Sequence, residues 1–225
     1  MCGRFFIAEE GEDKLLAMMI EEASRKQQAI VGESTIARGE VFPSSAVAAL
    51  AAGKSGGIGA YPLQWGFHRP DGKGLIINTR SETALEKPMF RQSMLERRCL
   101  IPCSWYFEWE IRDTQSSLLD GFPSLQIQHD ALPRGKSKNT LKIKYAIRPR
   151  QAGLMYLAAI YRYEEGQRLP VFSILTREPA QEIAFIHDRM PVIFSDTTHH
   201  AWLDRAADPL ETLKLCEKEM VFRAA

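Results

Sequence analysis

Four short stretches of this chain carry residue types that do chemistry. The chain opens MCGRFF, with Cys2 directly behind Met1. Removal of Met1 would leave Cys2 with a free α-amine and a thiol on adjacent carbons, titrating near about pH 8 and about pH 8.5. Such an amine condenses with an aldehyde to a Schiff base, and the thiolate then closes a five-membered thiazolidine ring. The second stretch, NTRSET, places Asn78, Arg80, Glu82 and Thr83 just after an apolar run. Strand alternation puts Asn78 and Arg80 on one face. There an amide and a guanidinium can grip a substrate and its phosphate, or simply make a surface salt bridge. The third stretch, WYFEWE, sets Glu108 among aromatic rings. A carboxyl in apolar surroundings titrates upward and exchanges protons near neutrality, and the rings offer stacking surfaces for bases. The competing arrangement turns Glu108 to water and its aromatic neighbours to the core. The fourth, IHDRMP, holds His187, the side chain best tuned for proton transfer at neutral pH, and Arg189, able to hold a phosphate.

Other catalytic signatures are missing. There is no G-x-S-x-G, Walker loop, H-E-x-x-H or Rossmann glycine pattern. Cys99 and Cys103 are separated by three residues, unlike a zinc knuckle, and read with Cys216 as core or free thiols. His199 and His200 are adjacent and read as a surface helix cap. No metal or cofactor is expected. The 225 residues have a net charge of +1, which gives no global signal for nucleic acid or membrane. One local stretch, 130–150, holds seven Lys or Arg against one acid, fit for DNA or for a solvated hairpin. Acidic residues Glu9, Glu10, Glu12 and Asp13 stand where a signal peptide would be apolar, and no run is long enough to span a bilayer. A cytoplasmic chain is expected, nucleoid-associated when on DNA.

The elements that must position these residues are mixed. Residues 12–28 have helical spacing. Short strands are expected in YPLQWGFHRP, before a turn at Pro70-Asp71-Gly72, and in GLIIN, which would end at Asn78. Helical segments flank Pro88 in ETALEKPMFRQSMLERR. RCLIPCSWYFEWEI, LKIKYAIRP, LMYLAAIYRY, PVFSILTREP and PVIF read as strands. PAQEIAFI reads as a short helix, and TTHHAWLD and DPLETLKLCEKEM as a helical C-terminal region. Residues 112–140 read as a loop or hairpin insertion. Strands and helices lack βαβ regularity, so an α+β single domain over 1–225 is expected, with a mixed, mostly antiparallel sheet and flanking helices.

Taken in order, MCGRF, WGF, INTRSET, EKPMFR, RCLIPCSWYFEW, LAAIY and IHDRMP resemble the SOS response-associated peptidase (SRAP) family, from residue 2 to about 194. That resemblance implies a protein that senses abasic sites in single-stranded DNA and captures the sugar aldehyde as a thiazolidine through Cys2, after removal of Met1. It implies that Asn78 positions Cys2 and the sugar. Glu108 would assist sugar ring opening and Schiff-base closure, and His187 would shuttle a proton and support reversal. It places Arg4, Arg80 and Arg189 as phosphate grips, Thr176 as a hydroxyl at the site, and Trp65 and Pro43 along the DNA path. The implied partner is abasic single-stranded DNA, bound by a monomer, with replication-fork proteins as candidate partners. Two departures stand out: Trp105 replaces a small residue, and the loop around Pro43 reads EVFPS. Two alternatives stay open. One is a thiol peptidase or self-processing protein using Cys2 and His187, which tolerates a blocked amine. The other is a single-strand binding module that treats intact and abasic strands alike.

Overall fold

The computed structural model describes residues 2–8, 13–53, 56–113, 140–151 and 153–225. Strand β1 (Arg4–Ile7) leads into helix α1 (Lys14–Val31). The Asp13 carboxylate accepts from the Leu16 N–H at its start, and Gly32 closes it in the left-handed region at φ 85°. Leu16, Ile20, Ala23 and Gln27 form its buried stripe. Next come β2 (Gly39–Val41), β3 (Ala46–Ala52), β4 (Ile58–Trp65), β5 (Phe67–His68), β6 (Leu75–Ile76), β7 (Asn78–Arg80) and α2 (Pro88–Glu96). The long strands β8 (Arg98–Cys103), β9 (Trp105–Asp113), β10 (Thr140–Pro149), β11 (Met155–Arg162) and β12 (Val171–Arg177) follow. The chain ends with β13 (Met190–Pro191), β14 (Ile193–Phe194), α3 (His199–Leu203), α4 (Pro209–Leu213) and β15 (Met220–Ala224).

The strands build two principal layers. One is an antiparallel sheet in the order β15-β10-β9-β1-β2. In the other, β12, β4, β3, β8 and β11 pair in turn, and β11 pairs back with β12, so the path closes into a ring of five strands. Closure leaves no edge along that ring to attract another strand. Pairing is antiparallel except where β12 runs beside β4 and β7. This is the expected α+β domain with mixed, mostly antiparallel sheets. Alternation decides what each sheet contributes. Phe5, Ile7, Tyr106, Ile147 and Met220 on the inner face of the first sheet are buried, and the Phe5 ring meets Trp65 of the ring at 5.0 Å. Burying such rings is the main term holding the layers together, worth roughly 1.5–3 kcal/mol for each large apolar side chain.

Several expectations change in the folded chain. GLIIN is not one buried strand ending at Asn78. It splits into β6 and β7, with Asn78 starting the latter, because the Ile77 carbonyl and the Asn78–Arg80 backbone turn to pair with β12. RCLIPCSWYFEWEI divides at Ser104 into β8 and β9, which belong to different layers. PAQEIAFI forms only a 3-10 turn at Gln181–Ile183, and the segment before Pro88 likewise is a 3-10 turn at Ser81–Thr83. The last helix stops at Leu213, because the Glu217 N–H donates to Ile193 and draws the chain onto β14. MVFRA, unassigned in the sequence, becomes β15 at the sheet edge. His199 is not on the surface: it is buried and stacks on Tyr156 at 4.3 Å, while His200 is exposed. Thr140 pairs with Asp113, so the 112–140 segment opens as a hairpin, and 114–139 lies outside the described residues. Among the described residues no helix is long and apolar enough to cross a membrane.

Candidate active site

Cys2 sits just ahead of β1 and is fully buried, its Sγ 3.7 Å from the Arg4 carbonyl. Three elements converge on it. The first is β7: Asn78 Nδ2 donates to the Cys2 carbonyl at 2.8 Å. The Asn78 Oδ1 is buried and has no hydrogen-bond partner among the described residues, so the amide offers a ready acceptor at the site. β7 owes its place to β12, which it joins in parallel register, Ile174 opposite Asn78. Beneath that pairing the Thr79 and Ser173 hydroxyls bond at 2.8 Å.

The second element is β9. Arg4 pairs with Phe107 and Phe5 with Tyr106, which carries Glu108 to the Cys2 end of β1. Even-numbered residues of β9 face inward. Glu108 is 4% exposed, whereas Trp105 and Trp109 are half-buried on the outer face. The carboxylate is therefore inside and the indoles outside, the reverse of the arrangement that would make Glu108 a solvent-facing acid. Burial pushes the Glu108 carboxyl above its ordinary value, opposed by nearby positive charge that includes His187. Burial also pushes the Cys2 thiol well up, and the Glu108 carboxylate adds to the rise. The same alternation brings in a residue that motif reading missed. Tyr106, two positions before Glu108, is buried with its hydroxyl unpartnered among the described residues, and its phenol feels both Cys2 and Glu108. Counting two residues back along the strand would have found it.

The third element is the turn between Ile183 and β13, which presents His187. The His187 side chain is 31% exposed. Its Nδ1 lies 2.6 Å from Asp188 Oδ1 and 3.1 Å from the Arg189 backbone N. The carboxylate contact fits a proton on Nδ1 and the N–H contact fits a bare one, so gain and loss of that proton each find a partner.

The remaining predicted residues divide. Arg80 is exposed, and its guanidinium has no hydrogen-bond partner among the described residues, as a phosphate grip requires. Arg4 is part-exposed, bound to Glu40 at 3.1 Å and lying over Phe42 and Trp109. Pro43 is half-buried in the turn after β2, where Ser44 takes φ 73°; Ser45 N–H donates to Phe42 and Ser44 N–H to Trp65. Arg189 is not free for phosphate: it donates to Glu82 at 2.8 Å and to the Thr176 carbonyl at 2.7 Å, with 11% of its side chain exposed. It is a strut that ties the NTRSET turn to the HDRMP segment. Thr176 is fully buried on β12 within that strut, its Oγ1 3.5 Å from the Thr79 carbonyl. Trp65 is likewise fully buried and cannot line a DNA path. Instead its Nε1 donates to the Ile77 carbonyl at 3.0 Å, while its ring packs on Phe5 and stacks on Phe172. One indole thus supports both the strand behind Cys2 and the strand that carries Asn78. Trp65→Phe is expected to cost about 0.5–1.5 kcal/mol for the lost indole hydrogen bond, since the Ile77 carbonyl keeps the Ile174 N–H, measured by urea unfolding. Trp105 does not narrow the site; it faces away, stacked on Phe6 at 4.5 Å.

A cavity of about 790 Å³ bounded by Tyr61, Tyr161, Arg97 and Arg205 contains none of these residues. Cys2, Asn78, Glu108 and His187 come together elsewhere, at the end of β1. That convergence, on a five-stranded ring capped by an antiparallel sheet, defines a class, and sequence comparison identifies it. The chain belongs to the SOS response associated peptidase (SRAP) family, whose profile matches residues 1–223. It is similar to the abasic site processing protein YoqW of Bacillus subtilis, 28% identical over 225 residues, covering 93% of this chain and 83% of YoqW. It is also similar to the abasic site processing protein HMCES of Xenopus tropicalis, 24% identical over 168 residues, covering 68% of this chain and 48% of that protein. Its fold matches a crystal structure of a Bacteroides thetaiotaomicron protein with a TM-score of 0.68 at 19% identity, covering 99% and 91% of the two chains.

Proposed function

We propose that this protein processes abasic sites by covalent capture: once Met1 is removed, Cys2 traps the ring-opened sugar aldehyde of an abasic nucleotide in single-stranded DNA as a thiazolidine. The observation that carries the reading is the meeting of Cys2 with a hydrogen-bonded Asn78 and a buried Glu108 within the field of His187. Abasic-site processing is also what the named relatives share.

The steps follow from the groups present. The sugar equilibrates between a closed hemiacetal and an open aldehyde. Glu108, whose proton burial favours, donates to the ring oxygen as the C–O bond opens and takes the proton from the hemiacetal hydroxyl. The Cys2 amine adds to the aldehyde carbon, protonation of the resulting hydroxyl releases water, and loss of the nitrogen's proton leaves an imine. The thiol then adds across the C=N bond: sulfur joins carbon, and its proton passes to nitrogen. His187 exchanges protons with the sugar hydroxyl, and the same path run backward releases the strand. Asn78 fixes the Cys2 carbonyl, so the amine and thiol face one carbon without further ordering. Arg80 supplies the exposed cation for a flanking phosphate.

The thiol-peptidase reading has less support, because such enzymes lower the pKa of the nucleophile and here burial and Glu108 raise it. Intact mass after incubation with an abasic single strand provides the test. One adduct per chain, with Met1 absent, is expected on the abasic strand and none on an undamaged strand. Protein lacking Met1 that forms no adduct would overturn the reading.

A further inference from the structure

The outer face of the first sheet plays no part in the capture chemistry, yet its composition is unusual for a solvated surface. Aromatic rings and cations alternate across it. Phe6 stacks on Trp105, Arg223 lies over Trp105, Lys144 over Phe107, and Lys142 over Trp109. Glu40 supplies a carboxylate there, shared between Arg4 and Lys144. At one end a groove of about 340 Å³ opens between Trp105, Ala146, Arg148, Val221, Phe222 and Arg223. It exists because Ala146, opposite Phe107 on one side and Arg223 on the other, is the small residue among large neighbours. Neither the Arg148 nor the Arg223 guanidinium has a hydrogen bond or an ion pair among the described residues.

We propose that this groove is a second nucleotide subsite, in which a base of the strand running away from the captured abasic nucleotide stacks on Trp105 and its phosphate lies between Arg148 and Arg223. The inference rests on the capture reading for the source of the strand. Three observations select single-stranded DNA as the occupant. The exposed charge is positive, which suits a polyanion. A half-buried indole backed by Phe6 presents a π face, and unpaired bases stack on such faces irrespective of sequence. The face is also continuous with the site: it begins at Arg4, two residues from Cys2. Phe6 and Trp105 lie a further two residues along, within roughly 13 Å of Cys2 at the rise of an extended chain. A base entering the groove takes the place of Arg223 over the indole, and that guanidinium then meets the phosphate.

The test compares intact single strands of about 2 nucleotides, too short to span from the Cys2 site into the groove, and about 15 nucleotides by fluorescence anisotropy over a salt series, using the full chain. Trp105→Ala is expected to weaken binding of the longer strand by about 5- to 100-fold and to leave the shorter one unchanged. Trp105→Phe keeps an aromatic ring against Phe6 and is expected to retain most of the affinity, which guards against a folding defect. Arg148→Gln with Arg223→Gln is expected to flatten the salt slope by about 0.7, the contribution of the one phosphate of a single strand that is no longer neutralised. Equal losses on both lengths, or an unchanged salt slope, would overturn the subsite. Adduct formation on a short abasic strand is scored separately. Its absence in the parent protein counts against covalent capture, whereas length-dependent binding that ignores Trp105 counts against the groove.

Discussion

Cys2→Ala is expected to abolish the heat-stable adduct while leaving a Schiff base that borohydride can trap. Alanine at position 2 still permits removal of Met1 and leaves a free amine at the same place, held by the same Asn78 bond to the residue 2 carbonyl. The imine therefore still forms, but nothing adds to it, and water returns it to the aldehyde. The size of the effect follows from the ring closure. The thiol is tethered to the carbon bearing the amine, and well-oriented intramolecular additions reach effective concentrations of about 10⁵–10⁸ M. Losing that tether removes the step that makes capture durable. Denaturing electrophoresis after heating, with and without borohydride, checks it. A heat-stable adduct in Cys2→Ala would mean that another group closes on the sugar. Acetylating the amine of the parent protein gives the complementary control: thiazolidine formation stops, while a thiol peptidase would continue.

Glu108→Gln is expected to slow adduct formation by about 10²–10⁴-fold, the usual contribution of a positioned acid or base, and to make the protein more stable at alkaline pH. The second half has a definite sign. Burial raises the folded-state pKa of this carboxyl, so the folded chain holds a proton that the unfolded chain releases. Its contribution to stability is complete below the ordinary carboxylate pKa and is lost as pH rises through the folded value. Glutamine stays neutral throughout. The variant should therefore exceed the parent in thermal midpoint near pH 8, and the gap should close toward about pH 4. A buried acid kept at a cost to the fold is what a site serving catalysis would contain. Thermal melts at the two pH values decide the matter, and a variant less stable than the parent at pH 8 would assign Glu108 a structural role instead. Adduct rates measured over the same range should lose their dependence on this group.

Much of the site was legible because its parts are local motifs. Cys2 behind Met1, Asn78 after an apolar run, Glu108 within aromatics and His187 before Arg189 are each recognisable from neighbouring residues alone. The strands WYFEWEI, LKIKYAIRP, LMYLAAIYRY and PVFSILT follow from β-branched and aromatic content, and α1 follows from its 3.6-residue stripe. Legibility failed where the answer depends on partners distant in the chain. Trp65 and Arg189 have residue types suited to DNA, yet the tertiary structure commits both to internal bonds, to Ile77 and to Glu82 and Thr176. PAQEIAFI and LKLCEKEM have acceptable helical patterns, yet the first closes only local i→i−3 turns and the second is drawn away by the Glu217 N–H bond to Ile193.

The sequence by itself determined the candidate reacting groups, since an aminothiol exposed by removal of Met1 would have its chemistry in any fold. It also determined which segments can be strands, since side-chain shape and alternation act over a few residues. Only the tertiary structure decided which face of β9 turns inward, because alternation permits either and the packing of the sheet against the five-stranded ring selects one. That choice puts Glu108 and Tyr106 beside Cys2 and sends Trp105 and Trp109 outward. It also decided that residues 2, 78, 108 and 187 come together at all: a site drawn from separate elements exists only when long-range pairing, β1 with β9 and both β7 and β13 with β12, holds them.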